Sequence, residues 1–236
     1  MIRPLLSVSL VLALAAIAAP APVIAQDARP GVAVLPFENG GSYGRDREDL
    51  EALRRGIAGM LISELSTRPG VRLVDRSQTQ RLLDEQNLAA SGRVDAATAA
   101  RVGRLVGARY MVAGTFIDLY GDFRLDARII DVETGEIITV VRSDPRYRDR
   151  KDLYRLIQSV AERIATDATF PAAGADASPR GARDIPTEAL AHYSRALLYE
   201  DRGDRAKATE YYERALQLFP AYTEATEGLR KVRGGG

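Results

Sequence analysis

The stretch "AVLPFENGGSYG", residues 33–44, decides the fold, because it joins a short apolar run to a glycine-rich loop. Such a junction reads either as a strand delivering a phosphate-binding loop or as the first strand of an α/β domain. A loop of the Walker type needs GxxxxGK followed by Ser or Thr, and "NGGSYGRDRED" has neither the lysine nor the hydroxyl in place. It also lacks the GxGxxG spacing of dinucleotide folds. The acidic residues Asp46, Glu48 and Asp49 follow at once. They suit the positive end of a helix dipole and repel a phosphate. The loop is therefore read as a connection, and "GVAVLPF" before it as a buried strand opening on Gly31.

Downstream, Leu50, Leu53, Ile57, Met60, Leu61 and Leu65 recur at steps of three and four, predicting a helix over residues 48–66 with one apolar face. "RPG" at 68–70 stops it, and "VRLVDR" at 71–76 reads as a second strand. Ser77 with Gln80 three residues later has the pattern of a capping box for the next helix. Asp95 reads as the N-cap of "AATAARVGRLV", which Gly107 terminates. From Arg109 the period becomes two. "RYMVAGTFIDLY" and "FRLDARIIDV" are strands joined across Gly121-Asp122, and "EIITVVR" is a third entered through "ETGE". Phe123, Leu125, Ala127 and Ile129 alternate with Arg124, Asp126 and Arg128, giving one buried and one wet face. A helix carrying Leu153, Ile157, Val160, Ala161 and Ile164 completes the order β-α-β-α-α-β-β-β-α.

Residues 170–186, rich in Pro, Ala, Gly and Ser, read as a linker. Beyond it Ala196, Tyr199, Gly203, Ala208, Tyr212, Ala215, Leu216 and Pro220 fall at the spacing of one tetratricopeptide repeat, a helix-turn-helix unit. Small alanines allow close helix approach, tyrosines fill the space between, and Gly203 turns the chain. Arg195 stands where a leucine is usual and Arg205 where an aromatic is usual. "YTEATEGLRKV" is expected to cover the open end of the repeat.

The chain has 236 residues, no cysteine and one histidine. Arg3, the apolar run over residues 5–19 and the small residues before Gln26 form a signal peptide expected to be cleaved after Ala25. At 15 residues the run is shorter than the roughly 20 of a membrane-spanning helix. An uncleaved anchor is the alternative. Gln26 occupies the site where a lipoprotein needs cysteine, so a soluble periplasmic protein, at most associated with the outer membrane, is expected. The formal charge is +1, and loss of Arg3 brings it to zero. Near-neutrality gives no attraction to nucleic acid.

The domains are expected as signal peptide 1–25, α/β domain 26–169, linker 170–186, and repeat with C-terminal helix 187–236. The fold class is α/β (α+β), a mixed sheet with packed helices plus a small all-α hairpin.

"VAVLPFEN", "GMLISELS", "GVRLVDRSQTQRLLDEQ", "RVGRLVGARYMVAGTF" and "LDARIIDVETGEII" together resemble the CsgG-like family and the TolB-like amino-terminal domains, over residues 31–141. The resemblance implies a mixed sheet with packed helices, used in envelope assembly or regulation. Curli-secretion members of the family are lipoproteins that cross the outer membrane on long hairpins. Here Arg124, Asp126 and Arg128 lie on the exposed face of the middle strand, and an arginine facing lipid near the midplane costs about 2–4 kcal/mol. A pore is disfavoured.

Chemistry is sparse. His192 is the single candidate base for a nucleophilic triad and occupies a helix-packing position. The carboxylate pairs Asp126/Asp131 and Asp46/Asp49 read as solvated charges, no zinc spacing is present, and Arg76 with Arg128 reads as surface ion pairing rather than an anion pocket. The expectation is a non-enzymatic interaction module without cofactor, metal or small-molecule substrate, whose partners are envelope or outer-membrane-associated proteins. Its first repeat helix would present Leu190, Tyr193, Leu197 and Glu200 to a peptide or helix. One repeat cannot bury its apolar surfaces alone, so the α/β domain or another copy in a homo-oligomer is the alternative cover. The runner-up function is a subunit of a secretion complex; a nucleotide or small-molecule sensor using residues 40–44 is a third.

Overall fold

A computed structural model of the chain describes residues 27–42, 46–86, 94–167 and 183–234. The expected signal peptide, the glycine-loop residues 43–45 and most of the linker lie outside the described residues.

Strand β1, Gly31–Val34, pairs in parallel with β3, Arg72–Leu73, on one side and with β4, Tyr110–Leu119, on the other. A short β2, Glu38–Asn39, continues along β4. Strand β5, Asp122–Asp131, runs antiparallel to β4, and β6, Ile137–Arg142, antiparallel to β5, giving a mixed sheet in the order β3-β1-β4-β5-β6. The expected strand at 71–76 shrinks to two residues because Asp75 leaves it to cap the next helix. Its carboxylate accepts from Ser77 N–H at 2.7 Å and from Gln78 N–H. Helix α2, Arg76–Glu85, therefore starts before Ser77, and the cap is Asp75 rather than a Ser77–Gln80 box. A carboxylate is a stronger acceptor for the orphan N–H groups than a hydroxyl.

Helix α1, Arg47–Leu65, is capped by Asp46; α3, Ala96–Val106, by Asp95 and ended by Gly107 at φ 67°. Helix α4 spans Leu153–Asp167. Helices α2 and α3 cover one face of the sheet through Leu83, Ala99, Val102 and Val106. Helices α1 and α4 cover the other, over Phe116, Phe123, Leu125, Ala127 and Ile129. Arg124 and Asp126 point outward, as the alternation predicts.

The C-terminal part is a helical hairpin: α5, Thr187–Asp201, a turn at Gly203 with φ 74°, and α6, Arg205–Leu218, followed by α7, Thr223–Gly234. It packs on the outer side of α1, so α1 lies between sheet and repeat. Its apolar stripe of Leu53, Ile57, Leu61 and Leu65 shares one continuous core with Leu190, Tyr193, Leu197, Tyr212 and Tyr222. Ala52, Gly56, Gly59 and Ser63 are buried as well. No helix among the described residues is long and apolar enough to cross a membrane.

Candidate functional site

The seam between α1 and the repeat is built from charged side chains around an apolar centre. At the start of α1, Glu48 accepts from the Tyr199 hydroxyl at 2.7 Å and from Arg202 at 3.2 Å, while Asp49 pairs with Arg195. Arg195, the residue that replaces the usual leucine of the repeat, is thus one of the tethers to α1. Arg195 and Arg214 also stand over the Tyr211 ring, at 5.5 and 5.1 Å from its centroid. Arg205, the second departure, is exposed.

In the middle of the seam Asp201 is bound by two guanidinium groups, Arg55 at 2.8 Å and Arg76 at 2.9 Å. Burial disfavours the charge on Arg76, but Asp201 beside it outweighs this and raises its pKa. At the far end Arg183 joins Glu64 at 2.9 Å to Glu224 at 3.0 Å, and the Tyr154 hydroxyl donates to Glu64. Burial acts to raise the Glu224 carboxyl; Arg183 and Ser63 more than reverse it, so it titrates below the ordinary range. Each of these long-range pairs holds two units of the chain in one register.

Between the middle and far clusters the seam opens into a groove of about 280 Å³. Its floor is Gly59 and Ile62 of α1 with Tyr193, Leu197 and Tyr212 of the repeat; its rim carries Asp75, Arg76, Ser77, Glu200, Glu224, Glu227 and Lys231. Gly228 of α7 makes the groove possible. A Cβ there would meet the Tyr212 ring at 2.5 Å, so the glycine lets that ring lie across the helix. The Tyr212 hydroxyl donates to Glu200 at 2.6 Å, and Lys231 pairs with the same carboxylate at 2.8 Å. Burial first, then Glu200, pushes the Tyr212 phenol up, so it stays protonated and a donor.

Of the four residues singled out in the repeat, the structure brings Tyr193, Leu197 and Glu200 together in this groove, and places Leu190 fully buried in the core shared with α1. Much of the stripe is covered by the chain's own α/β domain, the alternative cover considered above. Arg76 is drawn into a buried ion pair and not toward Arg128. Asp46 caps α1, Asp49 serves Arg195, and Asp131 pairs with Arg109. His192 stacks on Tyr211 at 5.9 Å. Sequence reasoning missed Asp201, Arg183, Glu224 and Gly228. Arg195 was the visible signal, since an arginine on a packing position needs an acid across the interface.

Residues 17–121 match the family model described as "Curli production assembly/transport component CsgG", and residues 189–222 match that of the tetratricopeptide repeat. No curated protein matches the chain. Among solved structures it is similar to the LpoB C-terminal domain from Salmonella enterica (22% identity, 48% of this chain and 79% of that chain, TM-score 0.32). It is likewise similar to E. coli LpoB (21%, 48% and 56%, TM-score 0.38) and to lipoprotein GNA1162 from Neisseria meningitidis (15%, 59% and 99%, TM-score 0.37). At such scores the likeness carries no argument. The family matches stand on their own: the chain carries a CsgG-like domain followed by one tetratricopeptide repeat, and the two share a core.

Proposed function

We propose that this protein is a non-enzymatic interaction module of the cell envelope, exported to the periplasm by residues 1–25, and that the groove at the seam is where it holds a partner. The working units of this reading are the α/β domain over 26–169, the linker 170–186 and the repeat with its covering helix over 187–236. The observation that carries it is the groove itself, where a tetratricopeptide helix and the helix of a CsgG-like domain leave Tyr193, Leu197 and Glu200 beside one another in a cleft. Apolar floors rimmed by polar groups are a common form of protein-recognition site.

The test is site-specific photo-crosslinking in exporting cells from two positions, Ser77 on the groove rim and Arg205 on the far side of the repeat. An envelope-protein adduct from position 77 and none from position 205 is expected. Adducts from neither, or the same adducts from both, overturn the reading.

A second reading, a subunit of a secretion complex, is favoured by the description of the matching family model. Against it stand the strands that would have to reach lipid: Phe123, Leu125, Ala127 and Ile129 of β5 are fully buried within the chain's own core. Conductance in planar bilayers with detergent-stable rings would establish this reading over the first.

A further inference from the structure

We propose that the groove receives a lysine or arginine side chain of a partner polypeptide, and that Lys231 stands in the position this cation takes. The inference rests on the interaction reading above and names the chemistry recognised at the same site. Four carboxylates, Asp75, Glu200, Glu224 and Glu227, face two cations, Arg76 and Lys231. Arg76 is committed to Asp201 below the groove, and Glu224 to Arg183 behind it. What remains toward the opening is an acidic excess. Glu227 is exposed and makes no ion pair among the described residues. Asp75 spends one oxygen, Oδ1, on capping α2, and Glu200 is shared between the Tyr212 hydroxyl and Lys231.

A second observation is independent of charge. Tyr193 is 5% exposed, its ring is packed against Tyr222 at 5.0 Å, and yet its hydroxyl makes no hydrogen bond among the described residues. That oxygen stands over Gly59, where a Cβ would meet it at 2.9 Å, on the groove floor. A phenolic oxygen held there is an acceptor awaiting a donor. A guanidinium or ammonium supplies it: the aliphatic stem lies along Ile62 and Leu197, and the head reaches the Tyr193 oxygen, Glu200 and Glu227 together. Lys231, half-exposed on a flexible stem, yields its carboxylate readily to such a competitor. An acidic partner would instead meet Asp75, Glu200 and Glu227.

The experiment is fluorescence anisotropy on the full chain with three labelled dodecapeptides of one Leu/Ala sequence, differing only in a central Arg, Gln or Glu. The Arg peptide is expected to bind about tenfold tighter than the other two, the preference shrinking with added salt. Glu227→Gln and Tyr193→Phe should each reduce that preference by about three- to tenfold, and Lys231→Ala should tighten Arg-peptide binding several-fold while leaving the Gln peptide unchanged. Because Glu227 and Lys231 are exposed, those two variants keep the fold, and near-ultraviolet circular dichroism checks Tyr193→Phe. Binding without charge order, or with Glu first, overturns the cation inference and leaves the interaction reading standing. Failure of all three peptides also overturns it; the interaction reading is decided separately, by the cross-links from positions 77 and 205.

Discussion

Arg195 sits in a partly buried ion pair with Asp49, at a helix position that normally holds leucine in this kind of repeat. Hydrogen bonds to charged, partly buried groups contribute more than exposed pairs do, about 1.5–3 kcal/mol. Arg195→Leu, which restores the usual residue of the repeat, should therefore destabilise the protein by about 1–3 kcal/mol. A double-mutant cycle with Asp49→Asn in urea unfolding measures the coupling; additive losses would show that the pair contributes nothing of its own. His192, one helical step away, makes a separate prediction. Burial, then Arg195 and Arg214, lower its pKa below the usual 6.5, with Glu188 and Asp49 opposing, and Tyr211 stacks on its ring. The folded-state value lies below the unfolded one, so the unfolded chain binds more protons. The associated stability is complete above the unfolded value, about pH 6.5, and is lost as pH falls through the folded value. Between pH 7.5 and 5.5 the melting temperature should drop more for the natural protein than for His192→Gln. Equal drops would exonerate the histidine.

At the level of elements, α1 explains both what the sequence reveals and what it hides. Its stripe of Leu50, Leu53, Ile57, Leu61 and Leu65 announces a helix against a sheet, and the two ends of α3 are legible from Asp95 and Gly107 alone, since capping is local chemistry. The opposite face of α1 is different. Ala52, Gly56, Gly59 and Ser63 carry almost no hydrophobic signal, yet they are buried, Gly56 against Ser194 and Gly59 beneath the Tyr193 and Leu197 side chains of the repeat. A face made of small residues is apolar by shape rather than by composition, so a reading tuned to leucines passes over it. The groove was hidden for the same reason, as it depends on Gly59, on Gly228 and on ion pairs between residues far apart in the chain. Gly56→Ala tests this contact. A Cβ at residue 56 would clash with the Ser194 hydroxyl and stand 2.7 Å from its Cβ. Alanine is intrinsically the better helix former by about 1 kcal/mol, but overpacking costs typically about 1–3 kcal/mol. A net loss of stability in urea is expected; a gain would mean that α5 shifts freely on α1.

For the whole molecule, the repertoire of strands and helices was readable because period and punctuation are properties of short windows, while the docking of one unit on the other is a property of pairs such as Glu64 with Arg183 and Arg76 with Asp201. That docking joins the two units through one buried core and predicts a single thermodynamic unit. Helix α1 has one face in the sheet layer and the other in the repeat, and one continuous cluster of buried side chains crosses both. A lone repeat cannot bury its own apolar faces, and removing it would expose Gly56, Gly59 and Met60 on α1 to water. The full chain should therefore unfold in one transition. The chain has no tryptophan and ten tyrosines, five of them beyond residue 190 and five before it, so tyrosine absorbance reports on side-chain packing in both halves and far-ultraviolet circular dichroism on their secondary structure. Coincident curves from the two probes are expected. A chain cut to residues 27–167 should melt lower by about 10 °C or more, or aggregate, because loss of even a few kcal/mol at the seam is a large part of a domain's stability. Two separated transitions, with the shortened chain melting at the temperature of the first, would show that the two units fold independently and that the groove between them has no fixed shape to offer a partner.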